Sequence, residues 1–319
     1  MTFDFTLAIP TYNGACRLPE LLDSLLGQCL PEDFRWQVIV VDNNSTDQTA
    51  ALVREYQARW QGRDGLVYVL EQEQGAAFAR QKAMDVAQSE LVGFLDDDVI
   101  PARDWVMSAY RFGLENPNIG AYGGKISGRF EVPPPEEFVR IQSFLALRNR
   151  GSCPHRYNPK FLSMPPSAAL VVRRKPWLEN VPPKPSLGGR TRHSMMQGDD
   201  YEPLIYIYKA GWEIWYNPEM HVEHKIPASR LEKNYLLALS RGCGICVCHL
   251  RMMAAQGRWE QTTTFTRVTA GNLKRLVSHL LEYRIGILDN LITQCEFEFF
   301  LSSFLSSFAY LRYRLIVKR

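Results

Sequence analysis

The sequence predicts an α/β fold: a mostly parallel central sheet with helices on both faces, followed by a helical C-terminal region. Three observations carry this. Four short, β-branched apolar runs, FTLAI (5–9), WQVIVV (36–41), LVYVL (66–70) and LVGFL (91–95), read as strands buried on both faces. Between them, 18–26, 46–60 and 76–87 carry helical spacing, so strand and helix alternate as right-handed βαβ units do. Polar clusters close three of the four runs: Thr11-Tyr12-Asn13-Gly14, Asp42-Asn43-Asn44-Ser45 and Asp96-Asp97-Asp98. In a parallel sheet these positions fall at the carboxyl ends of strands, where ligands bind. Each cluster alone also suits a turn or a helix cap; three on one edge read as a site.

The remaining elements follow in order. A helix is expected over 105–115 and a strand over 121–126, before Val132-Pro133-Pro134-Pro135 breaks the pattern. A proline-rich run at 175–185 leads into the basic GGRTRHS (188–194), read as a long surface loop because apolar periodicity resumes at 201–210. Beyond residue 227 the character turns helical. The expected division is a catalytic domain over 1–226 and a helical region over 227–319.

Composition narrows the function classes. The chain has 319 residues, 46% hydrophobic and 22% charged, which excludes disorder, collagen and coiled coil. Thirty-seven basic against 34 acidic residues leave a net charge of +3, too mild to argue for a nucleic-acid partner. Seven cysteines without framework spacing read as reduced thiols. The start MTFDFTLAIP carries no signal-peptide pattern, and no apolar run reaches roughly 18 residues. A cytoplasmic enzyme is the expectation.

Three consecutive carboxylates after a strand, in GFLDDDVIP, are costly unless a cation sits among them. Oxygen ligands suit Mg²⁺ or Mn²⁺, and Mg²⁺ held by few carboxylates implies a diphosphate ligand. The alternative is a solvated turn with a helix cap. Neither a G-x-G-x-x-G fingerprint nor a Walker loop follows the first strand, which points away from dehydrogenases and NTPases.

The segments AIPTYNG, VIVVDNNSTD, GAAFARQKA and FLDDDVIP, with QGDDYEPLIYIYKAGW and YNPEMHVEH further on, resemble in order and spacing the inverting glycosyltransferases of family two. The resemblance spans about residues 7–224. Within the family it leans toward bacterial, in particular cyanobacterial, exopolysaccharide glycosyltransferases of the hormogonium polysaccharide type. It implies a GT-A fold, a UDP- or GDP-linked sugar donor, a glycan or lipid-linked acceptor, and Mg²⁺ or Mn²⁺.

Carried onto this sequence, the resemblance implies that Pro10, Thr11 and Asn13 line the nucleotide pocket and Asp42 contacts the base. Arg80 would approach the nucleotide; Asp96 would lie near the ribose, with Asp97 beside it on the nucleotide side. Asp98 would hold the metal, completed by His224. Asp200 would be the general base, with Glu202 supporting the acceptor or a nearby loop. The sequence departs from the pattern at Gln81, where asparagine is common, at Asp199, where glutamate is usual, and at Pro166-Ser167-Ala168-Ala169, where a glycine-rich segment is commoner.

The residue types fit inversion, which needs one base on the acceptor hydroxyl and one cation on the departing diphosphate. Asp199 supplies Asp200 with a like-charged neighbour that keeps a base poised; the same pair would also suit the start of a helix. His221 and His224 lie on opposite faces of a strand, so only one serves the site. CGICVCH (243–249) tempts a zinc reading, but without a second pair it reads as close helix packing. The run FEFFLSSFLSSFAYL (297–311), near Arg312, Arg314, Lys318 and Arg319, fits either an interfacial helix on the inner face of the cell membrane or a packing helix. Two rivals stand beside the transferase: a sugar-1-phosphate nucleotidyltransferase, whose basic glycine-rich loop is missing, and a non-catalytic component of a polysaccharide assembly complex.

Overall fold

The computed structural model describes residues 3–60, 65–188 and 195–317, the last five by backbone alone. The first half runs β1 (Phe5–Thr11), α1 (Leu18–Leu26), β2 (Trp36–Asp42), α2 (Thr49–Arg59), β3 (Leu66–Leu70), α3 (Ala76–Val86) and β4 (Leu91–Leu95). The second helix, expected from residue 46, starts at Thr49 because Asp47 Oδ1 accepts the Thr49 N–H at 3.0 Å and holds a turn ahead of it. β1 pairs in parallel with β2 on one side and β4 on the other, and β2 with β3. The chain therefore runs outward from β1 and returns to its opposite flank, which leaves a crevice at the carboxyl ends of β1 and β4.

Then come β5 (Val99–Pro101), α4 (Trp105–Glu115), β6 (Ile119–Phe130), β7 (His155–Arg156), β8 (Ala169–Arg173), α5 (Arg174–Asn180), α6 (Tyr201–Lys209) and β9 (Glu213–Ile226). The sheet order is β3-β2-β1-β4-β8-β6-β9-β5, with β7 also on β9. β8 is antiparallel to β4 and β6, and β5 and β7 are antiparallel to β9. β6 and β9 run with the first four strands, so the sheet is mostly parallel, as expected. The strand expected over 121–126 is twice that length because β9 lies along all of it, from Ile119 to Phe130. Of the loop expected over 175–194, α5 takes up 175–180, and 189–194 lie outside the described residues.

Alternate residues of one strand serve opposite faces, which is why the strands read as continuous apolar runs. Phe5, Leu7 and Ile9 pack with α1 residues Leu18, Leu21 and Leu22; Ala8 packs with α3 residues Ala79, Ala83 and Met84.

Four helices close the chain: α7 (Lys233–Ile245), α8 (Val247–Ala254), α9 (Gly257–Tyr283) and α10 (Leu291–Val317). They share the sheet's core. Leu236, Leu239, Ile292 and Cys295 join the cluster on one face, and Cys246, Leu250 and Ala254 the cluster on the other. The change of character near residue 227 is thus a change from sheet to helices within one core. Helix α10 packs through Ser302, Ser303, Ser306 and Ser307, all buried. A Cβ on Gly244 of α7 would sit 2.0 Å from Ser302 Oγ and 2.6 Å from the Phe299 carbonyl, so the two helices approach as only glycine permits. Phe299 packs on Phe144, ring centroids 5.0 Å apart. Of the two accounts open for the aromatic run, packing describes its inner face; the side chains of Arg314, Lys318 and Arg319 lie outside the described residues. Cys246 and Cys248 are buried packing residues, and among the described residues no cluster of three or more His, Cys, Asp or Glu forms a metal site.

Candidate active site

A cavity of about 700 Å³ opens at the carboxyl ends of β1 and β4, beside the helical region. Pro10, Thr11, Arg80, Asp96, Asp97, Asp98, Asp200 and His224, eight of the residues singled out in the sequence, line it. Asn13, Asp42 and Glu202 do not, and each is engaged elsewhere.

Asn13 and Asp42 hold loops. Asn13 adopts a left-handed backbone (φ 49°), and its side-chain oxygen accepts the Thr46 N–H at 2.8 Å, while its own N–H donates to Ser45 Oγ. Asp42 accepts the Ser45 N–H at 2.9 Å and the Tyr68 hydroxyl at 2.8 Å. Glu202 accepts the backbone N–H groups of Ser186 and Leu187 at 2.8–3.0 Å, which fastens the loop before the acid pair. The expectation of direct pocket contacts from Asn13 is corrected by this geometry: the turn it must make points its amide at the next loop.

The three carboxylates of the triplet have separate fates. Asp97 forms a two-pronged pair with Arg17, Nε–Oδ1 and Nη2–Oδ2 both 2.8 Å, and accepts the Thr11 hydroxyl. Asp96 faces the cavity and has no ion-pair partner among the described residues; burial, then the charge of Asp98, push its carboxyl above the usual range. Asp98 is buried with Arg230 Nη2 at 2.6 Å and His224 Nε2 at 3.4 Å. Burial would raise its carboxyl, but His224 and Arg230 overcome this and hold it well below the carboxylate range.

His224 reaches Asp98 because β5 pairs with β9 in a register that sets Val99 opposite His224. Its Nδ1 lies 3.0 Å from the Leu145 carbonyl, which can only accept, so Nδ1 is the donor and Nε2 turns to Asp98. His221 points away, to Ser127 Oγ at 2.8 Å.

These groups fit a divalent cation. Asp98 Oδ1 is buried without a hydrogen-bond partner, and Nε2 lies on the same side of the carboxylate. An oxygen and an imidazole nitrogen suit Mn²⁺ or Mg²⁺, with the remaining positions left to a diphosphate and water.

Across the cavity, Asp199 and Asp200 precede α6. Gly198, at φ +103°, turns the chain into them. Asp200 is the helix N-cap residue yet makes no capping hydrogen bond, so its carboxylate stays on the cavity wall. Burial and the charge of Asp199 raise it to about 6. Asp199 pairs with Arg80 Nη1 at 2.8 Å, the two side chains 9% and 7% exposed. Arg80 Nη2 donates to Ser167 Oγ at 2.8 Å. Arg80, expected against the nucleotide, is therefore engaged by the acid pair, because α3 aims it across the crevice at residues 119 positions later.

The sequence assigned no site role to Arg17, Ser167, Arg148 and Arg230, nor to two arginines of the helical region, Arg251 and Arg275, all of which line the cavity. A signal existed for Ser167, inside the segment that departs from the glycine-rich pattern, and for Arg230, six residues after His224 and past a proline; Arg17, Arg148, Arg251 and Arg275 follow no motif or period.

Comparison with known proteins bears on the family and the fold. The model of the family "Glycosyl transferase family 2" matches residues 6–174, just over half the chain; the acid pair and His224 lie beyond the match. The putative teichuronic acid biosynthesis glycosyltransferase TuaG of Bacillus subtilis (strain 168) is 31% identical over 144 residues, 44% of this chain and 55% of TuaG. The chain thus spans about half the length of that relative. Among solved structures, the mannosyltransferase PcManGT from Pyrobaculum calidifontis, in complex with GDP-Man and Mn²⁺, superposes with a TM-score of 0.60 at 19% identity, over 97% of this chain and 88% of that one. TarS 1–349 of S. aureus, in complex with UDP-GlcNAc, gives 0.52 at 15% identity over 97% and 91%. At these identities the likeness shows the fold, GT-A with a helical C-terminal region.

Proposed function

Since the chain belongs to glycosyl transferase family 2, we propose that it transfers a sugar, with inversion, from a nucleotide-diphosphate sugar to a glycan acceptor in polysaccharide biosynthesis, assisted by Mg²⁺ or Mn²⁺. The observation that carries this reading is one cavity with the Asp98–His224 pair on one side and Asp200, free of its capping duty, on the other.

Asp200 takes the proton from the acceptor hydroxyl as its oxygen attacks the anomeric carbon opposite the departing diphosphate. A carboxyl raised to about 6 is ionised at neutral pH yet basic enough to accept that proton. Asp199 keeps it raised, and Arg80 keeps Asp199 in place. Asp98 and His224 would hold the cation, which supplies charge compensation for the leaving diphosphate. Pro10 and Thr11 form the nucleotide wall, with Asp96 toward the ribose; Asn13 and Asp42 act through the loops they fasten.

The catalytic acids fall within 1–226, and 227–319 closes the acceptor side. Membrane contact, if made, uses the outer face of α9 and the turn after it. Leu281, Ile285 and Leu288 there are 68%, 86% and 74% exposed. One helical run, Lys233–Ala254, is long and apolar enough to cross a membrane, but half of its apolar window is buried inside the protein, as a core helix is. We propose a cytoplasmic protein that reaches the inner face of the cell membrane peripherally, and the exposed Leu281, Ile285 and Leu288 support that contact.

The test is a panel of UDP- and GDP-sugars, with Mn²⁺ or with chelator, read by release of nucleoside diphosphate. Metal-dependent release from one donor supports the proposal. No release from any donor overturns it.

A further inference from the structure

Six arginines and five aspartates line the cavity. Three arginines are answered within the protein: Arg17 by Asp97, Arg80 by Asp199 and Arg230 by Asp98. The other three, Arg148, Arg251 and Arg275, have no carboxylate partner among the described residues; their hydrogen bonds go to neutral oxygens. Arg148 donates to the Ser143 and Leu147 carbonyls and to the Tyr201 hydroxyl at 3.1 Å, while its Nε is buried and unpartnered. Arg251 donates to the Lys160 carbonyl, its guanidinium 5.2 Å above the Phe161 ring. Arg275, an exposed side chain at the cavity rim, reaches among the described residues only the Asn272 side chain, at 3.4 Å.

Two of these cations stand together, and the third lies by the acid pair. Arg251 stands on α8, Arg275 on α9, and Arg148 touches Tyr201, the residue after Asp200. Burial, then the charge of Arg275, lower the Arg251 guanidinium from its ordinary value, so the two helices bring like charges together. The wall they share is apolar, with Phe144, Phe161, Leu162, Leu250 and Phe299. Arg148, beside Tyr201, lies near enough to Asp200 for that carboxylate's charge to raise its guanidinium, while Asp96 faces the cavity without an ion-pair partner among the described residues.

Like charges converging on a partly enclosed wall are unfavourable unless an anion joins them. Guanidinium groups match phosphoryl oxygens through paired N–H donors. Arg251 and Arg275 bring two of them together from two separate helices, with Arg148 by Asp200. The donor diphosphate has its own place near Asp98. We infer that the helical side of the cavity is an acceptor subsite for a phosphoryl group, so that the acceptor is a phosphate-bearing glycan whose sugar packs along the apolar wall with a hydroxyl at Asp200. This rests on the transferase reading for the word acceptor; the anion subsite itself does not.

The experiment is calorimetric titration of the full chain with inorganic pyrophosphate in chelator, which silences metal-dependent diphosphate binding. The variants are Arg251→Gln/Arg275→Gln, Arg251→Lys/Arg275→Lys and, on the donor side, Asp98→Asn. The subsite requires binding by the wild type that weakens as salt rises, falls at least tenfold in the glutamine pair and is partly restored in the lysine pair. It also requires that Asp98→Asn keep it. Mn²⁺ binding by the glutamine pair serves as the check on folding. Equal affinity in the wild type and the glutamine pair, or loss in Asp98→Asn alone, overturns the inference. Phosphatidylcholine vesicles carrying farnesyl pyrophosphate, against undoped vesicles and soluble polyphosphate, separate the sources. Arginine-dependent sedimentation with doped vesicles alone means a lipid-borne phosphate, and retention of polyphosphate alone means a soluble phosphodiester glycan. Arginine-dependent pyrophosphate binding without nucleoside diphosphate release from any donor would sink the transferase reading and leave the anion site standing. Donor turnover without such binding would do the reverse.

Discussion

Arg230 lies 2.6 Å from Asp98 and, through its other terminal nitrogen, 3.0 Å from His224 Nε2. One guanidinium thus engages the two groups proposed to hold a divalent cation. Two cations cannot share a buried carboxylate and imidazole cheaply, so metal entry requires Arg230 to withdraw. Arg230→Met is expected to bind Mn²⁺ about tenfold more tightly without donor, measured by electron paramagnetic resonance. Without metal the variant leaves buried Asp98 with His224 alone, so its melting temperature should fall and recover on Mn²⁺ addition. Unchanged Mn²⁺ affinity would show that the arginine does not compete. Asp98→Ala should lose metal-dependent donor binding.

Asp200→Asn keeps the shape and removes the base. Turnover should fall by roughly two to four orders of magnitude with donor affinity little changed. In the parent, kcat should drop as pH falls through about 6. The folded-state value lies above the unfolded one, so the stability this carboxyl contributes is full at low pH and lost as pH rises through about 6. The asparagine variant should therefore be more stable than the parent above that pH, on the order of 2–3 kcal/mol, by denaturant titration at pH 5 and 8. If Asp199→Asn is the dead variant instead, the base is the other acid.

Arg80→Met removes the partner of buried Asp199, at a cost of about 3–5 kcal/mol. Arg80 also lowers Asp200 through its charge. Its loss should shift the acidic limb of the pH–rate profile upward, an effect that a purely structural role would not produce.

Truncation after Glu296 removes the residues that pack against Gly244 and Phe144. We expect loss of folded protein rather than a soluble enzyme released from membranes. Gly244→Val should act similarly, since its Cβ meets Ser302 and the Phe299 backbone. A well-folded truncation with normal melting would contradict the packing described for α10.

Leu281→Glu with Ile285→Glu adds charge to an exposed apolar face and touches no core residue. Sedimentation with anionic vesicles should fall severalfold relative to the parent, with melting unchanged. Equal sedimentation would remove this face as the membrane contact.

The sequence by itself determined the alternation of buried strands and helices, and with it the sheet edge on which Thr11 and Asp96–Asp98 stand. Those features are local: periods of two and 3.6, and polar residues where a strand ends. Asp200 and His224 entered through the resemblance of QGDDYEPLIYIYKAGW and YNPEMHVEH to segments of the family. Tertiary structure decided the partners. Arg80 meets Asp199, and Arg17 meets Asp97, 80 residues away. Arg230 reaches Asp98 because β5 and β9 pair, a register between residues 121 to 125 positions apart. The cavity's far wall came from helices that read only as apolar and basic; folding placed Arg251, Arg275 and Phe299 there. Ion pairs depend on charge and distance alone and carry no sequence period, so which arginines are answered, and which are left facing the cavity, emerges only when the sheet and the helices close on one core.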